Sequence, residues 1–307
     1  MSVNTRRIYL NIRTGGIPMK KISALFLSLL ILMFTFSSIT FADVAEGDKI
    51  ITLGENLSDD QKKQILSELE ATDTTQIITV SNQEEHNYLG NLLPKATIGT
   101  RAISSSSITY TEAGSGLNVT THNINWVTDE MYLNALITAG VKDAHIEVTA
   151  PFSVSGTAAL TGLIKAYEIS TGEKIPEDVK KAANEEMIQT AKLGDQIGAE
   201  NASALFAKIK EKIAANSPET DAELRDIILQ AAKELGITLT DEQIQLLMDV
   251  FNKLKELNID WNQVGEQLTQ AKDKISKYLQ SEEGQNFLEK LKQFFISLFD
   301  AIKALFS

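Results

Sequence analysis

The chain contains no cysteine. That excludes a disulfide framework, a thiolate metal site, a cysteine nucleophile and a lipid-modified cysteine behind an export signal. Histidine is scarce, with three in 307 residues, and proline is limited to five. Basic residues are also in deficit: 29 Lys+Arg face 41 Asp+Glu, a formal net charge of −12. An acidic chain without a basic stripe is repelled by phosphate backbones, so nucleic acid is excluded as a partner. What remains is ordinary globular material. Hydrophobic residues make up 43% and charged residues 23%, enough for a sizeable core in one or two domains.

The N-terminus reads as an address. Met19-Lys20-Lys21 opens a second start, Ile22 to Phe41 is almost wholly apolar, and Thr40-Phe41-Ala42 offers small residues at a cleavage site. Basic, apolar, then cleavable is the layout of a secretory signal peptide. Cleavage is expected after Ala42, with residues 1–18 preceding the true start or extending the basic region. The competing reading is a retained membrane anchor, since the apolar run is long enough to span a bilayer. Cleavage would remove Arg6, Arg7, Arg13, Lys20 and Lys21 and no acidic residue, leaving a more acidic mature chain. An exported chain without cysteine suits an envelope that does not rely on disulfides.

From residue 43 to 154 strand and helix signals alternate. Lys49–Leu53 is a short apolar run ending at Gly54. Ser58 with Gln61 forms a capping box ahead of Ile65, Leu66 and Leu69 on one helical face. Gln76–Val80 is a second β-branched run, so a βαβ unit is predicted. Ser81 with Glu84 repeats the capping box and Gly90 closes that helix. Ala102–Tyr110 and Leu117–Ile124 are expected strands, and Gly114-Ser115-Gly116 between them predicts a hairpin. Thr128 caps a helix that starts with Asp129 and Glu130 and ends at Gly140. Ala144–Ala150 completes the sheet, with Ile146 and Val148 inward and His145, Glu147 and Thr149 outward. Polar outward faces predict a mixed sheet with helices mainly on one face.

From 155 to 307 only helical patterns remain. They run about 156–169, 177–197, 199–214, 219–235, 241–257, 261–279 and 285–305, punctuated by Pro176, Ser217-Pro218, Gly236 and Gly284. Short loops predict a bundle of antiparallel neighbours. Ala158, Gly162 and Ala166 recur every four residues, a smooth stripe for close packing on the helix expected to act as the hinge between the halves. The expected fold is therefore α+β: a mixed sheet with helices over 43–154 and a helical bundle over 155–307.

Several constellations could carry chemistry. His122, His145 and Glu147 fall on outward strand positions, Glu147 on the same face as His145, and could bind a metal or act in acid–base catalysis if their strands adjoin. They lack any recognised ligand spacing, and a solvated sheet face, where polar residues belong, is the favoured account of them. Ser104–Ser107 could hold a nucleophile with His122 or His145 as base, but no strained turn of the G-x-S-x-G kind is present. Ser153-Val154-Ser155-Gly156-Thr157 links a strand to a helix, where free N–H groups can hold an anion, yet it carries no lysine. An ordinary serine cap explains it. No residue is therefore assigned as catalytic, cofactor-binding or metal-binding, and no cofactor is expected.

Phe287, Leu288, Leu291, Phe294, Phe295, Leu298, Phe299, Ile302, Leu305 and Phe306 form one broad apolar face near the C-terminus. Such a face must be covered by the bundle, a partner or a bilayer. Lys290, Lys292 and Lys303 against Glu289 and Asp300 leave too little positive charge for a typical membrane-binding helix. Burial in the bundle or against a partner is favoured over membrane contact through 285–307.

Several blocks resemble the YpuA-like family of exported proteins from Gram-positive bacteria: VTAPFSVSGTAALTGLIKAYE (148–168), IGTRAISSSSI (98–108), GSGLNV (114–119), TDEMYLNALITAGVKDA (128–144) and IDW (259–261). The resemblance spans the mature chain and implies an exported protein with a shared fold. It transfers no activity, because the family has no assigned function. The leader before Met19 departs from its pattern. The functional expectation is an exported, envelope-associated binding or structural protein without catalysis, its partner a protein or an envelope component. The alternatives are an enzyme using the His122/His145/Glu147 face and a membrane-surface protein acting through its last helix.

Overall fold

A computed structural model describes residues 44–280. The expected signal segment and the 285–305 helix lie outside the described residues. The first strand, β1 (Lys49–Gly54), is β-branched and buried on both faces: Ile50 joins the main core, while Ile51 and Leu53 join a smaller one. Helix α1 (Asp59–Glu68) starts at the predicted capping box, in which the Ser58 hydroxyl accepts from the Gln61 N–H and the Gln61 side chain accepts from the Ser58 N–H. It delivers the chain to β2 (Gln76–Val80), parallel to β1 with Ile51 opposite Ile77. This is the expected βαβ unit. Helix α2 (Asn82–Leu89) follows, with the Ser81/Glu84 box complete and Gly90 at its end, then the short turn α3 (Lys95–Ile98).

The next step departs from expectation. Strands β3 (Ser105–Tyr110) and β4 (Leu117–Ile124) do not form a hairpin. The sheet order is β2-β1-β3-β5-β4, so β5 (Ala144–Val154) inserts between them. It runs antiparallel to β3, with Ser107 opposite Glu147, and parallel to β4, with Val119 opposite Ile146. The glycine loop does turn the chain, but it is pinned to the approach to β5: the Gly116 N–H donates to Asp143 Oδ1 at 2.8 Å and the Thr111 N–H to the Asp143 carbonyl at 2.9 Å. Helix α4 (Asp129–Thr138), capped by the Thr128 hydroxyl, makes the β4–β5 crossover. The sheet is thus two βαβ units side by side with one reversed strand, β3, between them. β3 also starts later than its sequence suggests, because Ala102 bonds to Asn56 instead of to a neighbouring strand.

The long helices are α5 (Thr157–Thr171), α6 (Glu177–Ile197), α7 (Ala199–Asn216), α8 (Asp221–Glu234), α9 (Asp241–Glu256) and α10 (Trp261–Gln280). The smooth stripe of α5 lies on the sheet. A Cβ on Gly162 would stand 2.7 Å from Thr52 Cγ2, and the Thr52 hydroxyl donates to the Gly162 carbonyl at 3.1 Å. Helix α5 is clamped to the sheet layer, not poised as a hinge. The main core is shared between Ile108, Ile146 and Val148 of the sheet, Leu136 of α4, Leu160 and Leu163 of α5, Ile188 of α6 and Val264 of α10. A second core lies among α6, α7, α8 and α9 around Phe206 and Phe251, whose rings are 5.3 Å apart. Each fully buried aliphatic or aromatic side chain contributes about 1.5–3 kcal/mol, an upper bound set by the unfolded-state reference. Helix α1 packs on the opposite face through Ile65 and Leu69. It also covers part of the polar face, so Thr149 is wholly buried, its hydroxyl donating to Glu68 at 2.7 Å.

Candidate functional site

The ladder puts His122, His145 and Glu147 on one face but not at one point. His145 faces Asn118 across the β4–β5 pair, Glu147 faces Thr120, and His122 faces Thr149. The histidines are therefore four register positions apart, on the order of 13 Å at 3.3 Å per residue. His145 and Glu147 each have a local partner. His145 Nδ1 is 3.0 Å from Asn118 Oδ1, and Glu147 accepts from the Ser107 hydroxyl at 3.4 Å with Lys49 Nζ 4.0 Å away. Among the described residues no three His, Asp or Glu side chains cluster as a metal would require.

Ser104–Ser107 are all buried on or just before the central strand. The Ser105 hydroxyl accepts from the Gly54 N–H at 3.1 Å and donates to the Ile103 carbonyl at 3.4 Å. The 153–157 turn is likewise occupied from within. Gly156 has φ +93°, and a Cβ there would stand 2.4 Å from the Tyr132 hydroxyl, which donates to the Gly156 carbonyl. At the start of α5 the Thr157 hydroxyl donates to Glu85 Oε1 at 2.5 Å, and Asn82 Nδ2 donates to Glu85 Oε2 at 3.2 Å. The group at this helix terminus is thus the Glu85 carboxyl, whose pKa is raised by burial against the pull of those two donors.

A cleft of about 520 Å³ opens at the other end of the sheet, where β1 and β2 begin. The ends of two helices converge on it: α1 closes at Leu69–Glu70 and α5 at Ile169–Ser170. Between them runs the Thr72–Thr75 loop, braced by its own hydroxyls. The Thr72 N–H donates to Thr75 Oγ1 at 2.9 Å, and Thr72 Oγ1 is 3.1 Å from Thr74 Oγ1. Tyr110 forms the inner wall. Its hydroxyl bonds to Ser170, and burial pushes its pKa up to about 12, so it is neutral near physiological pH. Asp48 and Glu70 bring exposed carboxylates to the rim. Lys49 also lines the cleft, but its ammonium donates to the Leu69 carbonyl at 2.8 Å.

Residues 53–271 match the family described as "protein of unknown function (DUF1002)". The match runs from the end of β1 to the middle of α10. The chain belongs to this family. A relative from Bacillus subtilis (strain 168), "Uncharacterized protein YpuA", is 54% identical over 289 residues, covering 94% of this chain and all of the relative. No solved structure matches.

Two features of this DUF1002 chain were not singled out from sequence. One is the cleft, assembled from the ends of separate elements. The other is a buried ionic network between α4, α6 and α7. Lys210 Nζ donates to the Asn134 carbonyl at 2.8 Å and the Thr138 hydroxyl at 3.2 Å, and lies 2.7 Å from Glu186 Oε1. The Thr138 hydroxyl in turn donates to Glu186. A lysine beside Phe206, Ile209 and Ile213, and a glutamate beside Ala182, Ala183 and Met187, are the sequence signals that could have found it.

Proposed function

We propose that this protein is exported to the cell envelope and works there by binding, without catalysis. The cleft at the start of β1 and β2 carries the reading. It is roomy, polar, braced by a self-bonded threonine loop and set on rigid strand and helix ends, as a preformed ligand site requires. Export rests on the basic, apolar and cleavable layout of residues 19–42. Two local pairings support the non-catalytic reading: His145 is paired with Asn118, and the hydroxyls of Ser105 and Ser107 with neighbouring backbone and Glu147 respectively. The partner is an envelope component or an envelope protein.

N-terminal sequencing of the extracellular species should begin at Asp43. A species retaining 22–41 in membranes would return the anchor reading. Binding is tested by capture from intact envelopes with the parent protein and a Thr74→Trp variant, which fills the cleft with neutral bulk at an exposed loop position. Loss of captured material with an unchanged melting temperature supports the reading. Undiminished capture by the variant shows that the cleft is not the binding site.

A further inference from the structure

The charge arrangement around the cleft narrows its ligand. The carboxyl-terminal end of a helix carries roughly half a negative charge in unsatisfied carbonyls. Both α1 and α5 end at this cleft. Asp48 and Glu70 add two full negative charges at the rim. The cation in the wall, Lys49, is already answered by the Leu69 carbonyl at 2.8 Å and by Glu147 at 4.0 Å. The field in the cleft is therefore negative, and an anionic ligand would be repelled. Hydroxyls of Thr72, Thr74 and Thr75 offer acceptors to a donor-rich group. The 43%-exposed Ile169 supplies an apolar surface on the wall.

We propose that the cleft binds an alkylammonium group, with its charged nitrogen between Asp48, Glu70 and the helix ends and its alkyl stem along Ile169. The proposal rests on the binding reading given above. Two sources share this chemistry, a free polyamine and the side chain of a lysyl residue.

The test is nuclear magnetic resonance titration of the isotope-labelled mature protein with four probes: 1,5-diaminopentane, Nα-acetyl-lysine amide, 1,5-pentanediol and glutarate. The two ammonium probes should shift backbone amides of 70–76 and 169–172, while the diol and the dianion leave them in place. Saturable shifts from the lysine amide as strong as those from the diamine assign a side-chain source, and shifts from the diamine alone assign a free polyamine. Asp48→Asn and Glu70→Gln, both at exposed positions, should each weaken binding about tenfold, the usual cost of losing one charge-assisted hydrogen bond. Raised salt should weaken it further. Cleft shifts from the diol or glutarate equal to those from the diamine would overturn the charge argument. They would leave the cleft as a binding site, which the Thr74→Trp capture judges separately. Absence of cleft shifts with both ammonium probes at millimolar concentration would overturn the proposal outright.

Discussion

Glu186 and Lys210 lie 2.7 Å apart with neither side chain reached by solvent. The pair joins α6 to α7, and its neighbours Asn134 and Thr138 bring in α4. Burial depresses the Lys210 pKa while the nearby Glu186 charge opposes that shift. Desolvating both ions costs much of what their attraction returns, so the pair adds little net stability, but removing one partner strands the other. Lys210→Met is expected to cost about 3–5 kcal/mol in urea unfolding, and Lys210→Met with Glu186→Leu should recover most of it. Additive losses in the double variant would show that the two residues do not act as a pair.

Gly162 sits where α5 crosses β1. Replacing glycine by alanine in a helix ordinarily gains up to about 1 kcal/mol. Here the new methyl would stand 2.7 Å from Thr52 Cγ2, on a fully buried β-branched side chain held by its own hydrogen bond. Overpacking of this kind costs about 1–3 kcal/mol, so the steric term outweighs the propensity gain. Gly162→Ala should lower the urea midpoint, and an unchanged or higher midpoint would show that α5 can lift off the sheet cheaply.

Glu85 is buried, and its pKa is raised above the ordinary carboxylate value chiefly by desolvation. A carboxyl whose folded pKa exceeds its unfolded one favours folding below the unfolded value, about 4.3, and loses that contribution as pH rises through the folded value. Raising the pH therefore works against folding at this residue. Glu85→Gln keeps an acceptor for the Thr157 hydroxyl and should raise the melting temperature at pH 7 more than at pH 4. Equal changes at the two pH values would remove titration of Glu85 from the account.

Because the chain has no cysteine, introduced pairs report sheet order without ambiguity. Asn118 and His145 are ladder partners on β4 and β5, and Thr109 faces His145 from β3. Adjacent strands lie about 4.8 Å apart, within the span of a disulfide, whereas β3 and β4 are two spacings apart. Asn118→Cys with His145→Cys should cross-link under mild oxidation, and Asn118→Cys with Thr109→Cys should not. The reverse result, read by thiol titration of the folded protein, would restore the hairpin.

The capping boxes at Ser58 and Ser81 were legible because both halves of each lie within four residues. The β1–α1–β2 unit was legible for a related reason, since alternation and turn signals are local. Strand order was not. Gly114 and Gly116 adopt the left-handed backbone that a turn uses, but which strand occupies the slot beside β3 depends on Asp143 and on packing under α5. Lys210 on an apolar helix face could be read as a side chain reaching back to solvent, because its acceptors come from two other helices. The cleft is made of Asp48, Glu70, the Thr72–Thr75 loop and Ile169, positions with no common period in the sequence.

The reversed central strand also sets the order of events during synthesis. As the chain emerges from its N-terminus, β1, α1 and β2 can dock at once, and β3 can join β1 soon after. The free edge of β3 must then stay open while β4 and α4 are made, because its lasting partner is β5. During that interval β4 is the nearest available strand, and pairing with it would be the misassembly that Gly114-Ser115-Gly116 invites. Correcting it requires β4 to be evicted and carried across to the far side of β5. The slow step in refolding should therefore be strand exchange at β3, and a partly made chain is most exposed to aggregation between completion of Tyr110 and completion of Val154.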